Sequence, residues 1–265
     1  MAKLSVRNLT KAYPNGDSGE TEVLDNISFD IEEGELLSIL GPSGCGKTTL
    51  LKIIAGLLEP DEGEVLIDGQ QVEPGHNRVG YIFQQESLFP WRTVKQNIEF
   101  GLEVKGVSPE KKERAVDEAL KIAGLEGLED HYPHEISGGQ ARKTEMARSL
   151  ILSPDILVAD EALSNLDAQT RNYLQEEFLR IQELTGSTIL FVSHNVDETV
   201  FLSDRILVLS NIPAKVIAEY TIDLPKPRVR TSQECLAYRT QILEVLRTEQ
   251  QKAMNGAKPK QTASI

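Results

Sequence analysis

Between Gly41 and Thr49 the chain reads G-P-S-G-C-G-K-T-T, with Gly41, Gly46, Lys47 and Thr48 at the spacing G-x-x-x-x-G-K-[ST]. Glycines at these positions let backbone N–H groups approach phosphate oxygens. The lysine reaches the β and γ oxygens, and the hydroxyl holds Mg²⁺. A helix resuming at Thr48 would turn its positive N-terminal end toward the same anion. The spacing predicts a nucleoside triphosphate as ligand without saying which kind of NTPase holds it.

Four further places carry chemistry once that loop is present. Asp160 and Glu161 follow the apolar run I-L-V-A at Ile156 to Ala159. Alone, an acidic pair at a strand end is usually a solvated turn. In a chain with a phosphate loop, one carboxylate can orient Mg²⁺ while the next polarises water for attack on the γ-phosphorus. His194 follows T-I-L-F-V-S and could contact the γ-phosphate and hold the attacking water against Glu161, although a lone histidine is more often a surface or satisfied core residue; Gln84, after V-G-Y-I-F, could sense the metal and the γ-phosphate or be only a polar strand terminus. Ile136 to Gln140, I-S-G-G-Q, sets the hydroxyl of Ser137 and the N–H groups of Gly138 and Gly139 at a helix start, which is a second anion site.

The elements around these residues alternate. Leu4 to Tyr13 and Val23 to Ile31 show strand-like alternation on either side of the turn-rich P-N-G-D-S-G, and predict an antiparallel β layer. Leu36 to Leu40, Val65 to Gly69, Val79 to Phe83, Ile156 to Ala159, Thr188 to Val192 and Ile206 to Leu209 read as further strands. From about Glu86 to Pro154 the pattern is helical. There Ser108 is a candidate N-cap with Pro109 at the first helical position, and Val116, Ala119, Leu120 and Ala123 mark one apolar face. Leu174, Phe178 and Ile181 make a second helical stripe. Strands alternating with helices around a phosphate loop predict an α/β fold: a mostly parallel sheet, an antiparallel β layer and a helical insertion at about 86–154. Residues 1–224 read as the nucleotide-binding domain. An extended P-K-P-R-V-R connector and a helix make a C-terminal extension over 225–251, and 252–265 reads as a disordered tail.

Composition narrows the function. A chain of 265 residues, 40% hydrophobic, can bury a sizeable core, and a net charge of −13 with no basic cluster argues against direct nucleic-acid binding. No apolar run is long enough for a membrane span, and M-A-K-L-S-V-R lacks the apolar core of a signal peptide. Cys45 and Cys235, the two cysteines, read as structural thiols. Cys45 lies inside the phosphate loop, so a bulky thiol reagent that reached it would be expected to block nucleotide.

With I-S-G-G-Q between the phosphate loop and the acidic pair, the chain resembles ATP-binding subunits of the ABC transporter family over nearly its whole length. The resemblance implies a P-loop NTPase of the ABC ATPase fold. Its Walker A loop would be Gly41, Pro42, Ser43, Gly44, Cys45, Gly46, Lys47, Thr48 and Thr49, and Ile136 to Gln140, with Ser137, Gly138, Gly139 and Gln140, its signature. Ile156 to Asp160 would be the Walker B strand, Glu161 the general base, Ser164 to Asp167 the D-loop, Gln84 the Q-loop glutamine, His194 the switch histidine and Tyr13 the ring that stacks on adenine. ATP and Mg²⁺ are the implied cofactors, with Thr48, Gln84 and Asp160 toward the metal.

The resemblance also implies two ATPase subunits, identical or related, closing head to tail on two nucleotides, and integral membrane permease subunits gripped by the helical insertion near Phe89 and Trp91. A solute-binding protein would take part indirectly. The chain would then lie peripherally on the cytoplasmic face of the membrane. F-Q-Q-E-S-L-F-P-W-R-T-V and L-P-K-P-R-V-R-T resemble the nitrate, sulfonate and taurine import branch, which includes bicarbonate systems. Ile136, Lys143, Glu145, Ala162 and Asn165 depart from the usual pattern, and Lys143 cannot reproduce a bidentate arginine contact. A soluble ABC ATPase of translation or DNA repair and a weakly hydrolysing regulatory subunit are the alternatives.

Overall fold

Eleven residues of alternating burial open the described structure, a computed structural model that covers residues 2–16, 19–164 and 166–256. β1 (Leu4–Pro14) pairs antiparallel with β2 (Glu20–Ile31), from Leu4 opposite Ile31 to Pro14 opposite Glu20, with register shifts between. β3 (Leu36–Leu40) then runs into α1 (Lys47–Ile54). β4 (Glu62–Ile67) returns beside β1, and the two-residue β5 (Gln70–Gln71) completes a four-stranded antiparallel sheet in the order β2-β1-β4-β5.

β6 (Val79–Ile82) leads into the helical segment: α2 (Val94–Val104), α3 (Pro109–Ala123) and α4 (Gly138–Leu150). β7 (Ile156–Asp160), α5 (Ala168–Thr185), β8 (Ile189–Ser193), α6 (Val196–Leu202) and β9 (Arg205–Leu209) follow in alternation. β10 (Val216–Thr221) and α7 (Gln233–Gly256) end the described chain. The second sheet has six strands in the order β10-β9-β3-β8-β7-β6, parallel except for β10 at one edge.

The period of two along the central strands splits the core. Leu37, Ile39, Ile156, Val158, Leu190, Val192, Leu207 and Leu209 pack with α1 and the antiparallel sheet. Leu36, Leu157, Ala159, Ile189 and Phe191 pack with Met146 of α4 and with Leu174, Phe178 and Ile181 of α5. Strands buried at every position, as β3, β7 and β8 are, belong to a parallel sheet covered on both faces. The helical segment has its own core, in which Val116, Leu120 and Ala123 of α3 meet Val94 and Ile98 of α2.

The α/β architecture and its three predicted parts are those of the structure. The structure adds detail to these expectations and corrects the end of the chain. Ser108 is the N-cap of α3 and Pro109 its first residue, but the Ser108 hydroxyl makes no cap bond. β5 and β10 lack a sequence counterpart above. Helix α7 begins at Gln233 and continues to Gly256, so residues 252–256, read as tail, are helical, and 257–265 lie outside the described residues. The P-K-P-R-V-R connector is pinned to the core: Arg228 donates to the carbonyls of Val200 at 2.8 Å and Ser203 at 2.6 Å, capping α6, and to that of Ile222 at 2.9 Å.

Phe178 is fully buried and edge-on to Phe191, with centroids 5.6 Å apart. Phe178→Ala is expected to cost about 3–5 kcal/mol in denaturant unfolding, whereas Leu184→Ala, on the exposed side of the same helix, changes stability by less than ~0.5 kcal/mol.

Candidate functional site

The parallel strands release their chains at one edge of the sheet, and the phosphate loop leaves β3 at that edge. Gly46 is the N-cap of α1 at φ 107°, and a Cβ there would meet Val23 Cγ1 at 2.8 Å, so glycine is required on both counts. Lys47 is buried and folds across the loop, donating from Nζ to the carbonyls of Gly41 at 2.9 Å and Pro42 at 2.8 Å. Ser43, Gly44, Gly46, Lys47, Thr48 and Thr49 line a cavity of about 460 Å³, which Gln84, Glu161, Val23 and Ile212 close. Cys45 is buried instead, its thiol pushed up by burial, and packs into the core beneath the loop. The condition under which a thiol reagent would reach the nucleotide site is not met.

Thr48 lies in the first turn of α1 and donates to Asp160 Oδ2 at 3.2 Å, and Tyr81 on β6 donates to the same oxygen at 3.0 Å. Asp160 ends β7 and is only 6% exposed. Burial lifts its carboxyl above the usual range, the Tyr81 and Thr48 bonds oppose that lift, and neighbouring Glu161 adds to it. Burial and the Asp160 charge push the Tyr81 hydroxyl well above its usual value, so it remains a donor.

One residue further, Glu161 has φ 46°. A left-handed conformation at a residue other than glycine costs on the order of 1–3 kcal/mol and is held by its surroundings. Here the Glu161 N–H donates to Val192 O at 2.9 Å, and its carbonyl accepts from Ser164 N at 3.1 Å. The side-chain oxygen Oε2 accepts from Gln84 Nε2 at 2.9 Å and lies 3.2 Å from His194 Nδ1. Three strand ends, those of β6, β7 and β8, thus meet on one carboxylate oxygen. The turn carrying His194 is braced from below by buried Glu198 of α6. Ser193 Oγ and Gln175 Nε2 donate to that carboxylate, and Asn195 N donates back to Ser193 Oγ at 3.0 Å. Burial raises the Glu198 carboxyl and those two bonds restrain the rise.

Tyr13 ends β1 with its hydroxyl 3.5 Å from Thr49 Oγ1, at the phosphate loop. Ser137 to Gln140 and Asp167 are brought together elsewhere. Ser137 and Gln140 form a reciprocal capping box at the start of α4, leaving the first-turn N–H groups of Gly138 and Gly139 outside it. Asp167 caps α5 through Gln169 N and Thr170 N, and its carboxyl is lowered by the Thr170 and Gln169 hydrogen bonds. Leu166 and Thr170 face Gly138 and Gly139. Among the described residues, none of these lines the cavity at the phosphate loop. Asn165 lies outside the described residues.

The departures on α4 have partners. Glu145 is 1% exposed and accepts from Arg142 Nη1 at 2.6 Å, from the N–H of Ser87 and from its hydroxyl at 3.0 Å. Arg142 also donates to the carbonyls of Phe83 at 2.8 Å and Gln84 at 3.2 Å, and Arg148 to Ser87 O at 2.8 Å. This clamp holds residues 83–87 on the helix that Ser137 caps. Lys143 donates to Gly124 O at 3.2 Å and lies 3.8 Å from Glu177. Sequence reading missed Tyr81, Glu198 and Arg142; the one signal available was that Glu145 on an otherwise buried helix needs a cation within reach.

A phosphate loop after β3, paired carboxylates after β7 and a helical segment carrying a capped S-G-G-Q between β6 and β7 define an ATP-binding cassette. The ABC transporter family profile matches residues 24–164, and the chain belongs to that family. It is 48% identical over 254 residues, 95% of this chain and 94% of the other, to an uncharacterised ABC transporter ATP-binding protein of Methanocaldococcus jannaschii. To the aliphatic sulfonates import ATP-binding protein SsuB of Bacillus thuringiensis it is 41% identical over 241 residues, 91% of this chain and 94% of the other. Its fold matches the dimeric post-hydrolysis structure of an ATP-binding cassette bound to ADP and Pi, with TM-score 0.71 and 32% identity over 84% of this chain and 100% of that one.

Two outcomes follow from the geometry. Because burial raises the folded-state Asp160 carboxyl, ionised Asp160 costs stability above that raised value, and the cost disappears as falling pH protonates the folded form. Asp160→Asn is therefore expected to be more stable than the natural chain at pH 7, with the difference in Tm shrinking as the pH falls toward the ordinary carboxylate range. Glu145→Ala, which leaves Arg142 buried without its carboxylate, is expected to lose about 3–5 kcal/mol in denaturant unfolding, and Glu145→Gln, which keeps an acceptor for Ser87, to lose less.

Proposed function

We propose that this chain is the ATP-hydrolysing subunit of an importer for a small solute of the sulfonate class. The observation that carries the reading is the meeting of Gln84, Glu161 and His194 on one carboxylate oxygen beside the phosphate loop. In this reading Gly41 to Thr49 cradle the phosphates, Lys47 exchanges its bonds to the Gly41 and Pro42 carbonyls for phosphate oxygens, and Tyr13 faces the adenine. Glu161 draws a proton from the attacking water, with His194 and Gln84 fixing the carboxylate that receives it. The Thr48 hydroxyl and Asp160 carboxylate, 3.2 Å apart, are a donor set suited to Mg²⁺, which keeps several waters and takes one or two protein oxygens besides phosphate. Gln84 lies toward the same ion. When bound, that ion neutralises charge on the β- and γ-phosphates.

Since Ser137 to Gln140 and Asp167 lie apart from the loop, the reading assigns them to the nucleotide of a second ATPase subunit, and ATP-driven closure of the pair is the mechanical output. Relatives named for sulfonate import and a cassette solved as a dimer support this. The membrane permease partner is assigned to the helical segment. There Trp91 is 71% exposed beside Phe89, their rings 5.7 Å apart. A peripheral position at the cytoplasmic face accords with the helices: among the described residues none is long and apolar enough to cross a membrane.

Glu161→Gln is expected to keep ATP affinity while cutting turnover about 10²-fold or more, as for loss of a general base; Lys47→Ala is expected to weaken ATP binding itself. Equilibrium titration beside steady-state ATPase assays reads both, and retained turnover in Glu161→Gln would overturn the assignment.

A further inference from the structure

The loop between β9 and β10 closes the phosphate-loop cavity with a side chain that no part of the reading above uses. Val23 and Ile212 are the apolar side chains among the described residues lining that cavity, the rest being polar groups or glycine. Ile212 is 45% exposed at its rim.

Its position is fixed from two directions. Ala214 N donates to Val23 O at 2.9 Å and Asp25 N to Ala214 O at 3.0 Å, so the loop is laced to β2 beside Val23. On the other side Asn211 N donates to Glu249 Oε1 at 3.2 Å, and Asn211 Nδ2 to Glu249 O, also at 3.2 Å. Glu249 belongs to α7 and is buried. A carboxylate withdrawn from water at the far end of the chain is thus bonded to the residue before Ile212.

We propose that Ile212 is a nucleotide-positioning residue: with Val23 it forms an apolar wall for the nucleoside of the bound triphosphate, and Glu249 of the C-terminal extension sets where that wall stands. The chemistry assigns the occupant. The loop N–H groups and Lys47 take the charged phosphates, and the two apolar side chains fit the ring system that the phosphates carry. The extension then acts on affinity for the nucleoside end of the ligand and leaves the phosphate end alone. This inference rests on the proposed nucleotide binding.

The test compares ATP with inorganic tripolyphosphate, which has the charge and no nucleoside, by calorimetric titration of the full chain with Mg²⁺. Ile212→Ala is expected to weaken ATP about tenfold and to leave tripolyphosphate within about twofold. Glu249→Ala is expected to show part of the same selective loss, and Glu249→Gln, which keeps the acceptor for Asn211 N, to bind like the natural chain. Unchanged ATP affinity in Ile212→Ala, or equal loss of ATP and tripolyphosphate, overturns the proposal while nucleotide binding stands. A natural chain that binds neither ligand overturns the nucleotide reading and this inference with it.

Discussion

Everything at the site depends on the register of the parallel ladder. Ile82 pairs with Ala159, Asp160 with Val192, and Ser193 with Leu40, so β6, β7, β8 and β3 end nearly level. Gln84, Glu161, His194 and the phosphate loop all emerge within a residue or two of those ends. A one-residue slip of β7 would carry each of Asp160 and Glu161 to the other face, taking Asp160 from Thr48 and Glu161 from His194. Leu, Ile and Val bury both faces of β3, β7 and β8, so side chains that do no chemistry themselves set the geometry of the reacting groups. Ligands of open α/β sheets gather at such carboxyl ends for the same reason.

The helical segment is joined to that edge by polar contacts as well as by packing. Arg142 and Glu145 are withdrawn from water, at a cost that one ion pair alone seldom offsets. Here the pair also satisfies the carbonyls of Phe83 and Gln84 and the N–H of Ser87, so the same two side chains replace water for a stretch of irregular backbone. Apolar residues at 142 and 145 would pack and leave those groups unpaired. Glu145, which departs from the usual signature helix, is thus answered by Arg142, and both answer the segment after β6, while Lys143 pairs elsewhere, with Gly124 and Glu177.

What could be read in the sequence divides along this line. The loop from Gly41 to Thr48, Asp160 and Glu161 after an apolar run, and S-G-G-Q before a helix were legible because phosphate chemistry fixes their spacing locally. The α/β alternation and the two stripes at Val116 and Leu174 were legible because burial imposes its period on neighbours in the chain. Tyr81, Glu198 and Arg142 were not, since each matters through a partner that only the packed sheet and helices supply. Glu145 stood out as a misplaced charge because Ser87, 58 residues upstream, could not be paired with it by spacing. β10 escaped notice because V-I-A-E-Y-T, at the sheet edge with every second residue exposed, offers no unbroken apolar run like those of the buried strands.

The same geometry bears on why closure of two such domains would need ATP. The first-turn donors of α4 are partly spent within the chain, with Ser137 and Gln140 capping each other and leaving Gly138 and Gly139 for a ligand. Each copy carries a net charge of −13, so two copies repel over distances of about a Debye length, ~8 Å at physiological salt. An attraction built from a few N–H groups against that repulsion is small without an anion between the faces. In the proposed arrangement, a phosphate held by Lys47 on one side and by the Gly138 and Gly139 N–H groups on the other would make both surfaces donors to one ligand. In the proposed pair, losing the γ-phosphate would remove the shared acceptor and leave the repulsion in place, so the two subunits would separate after turnover.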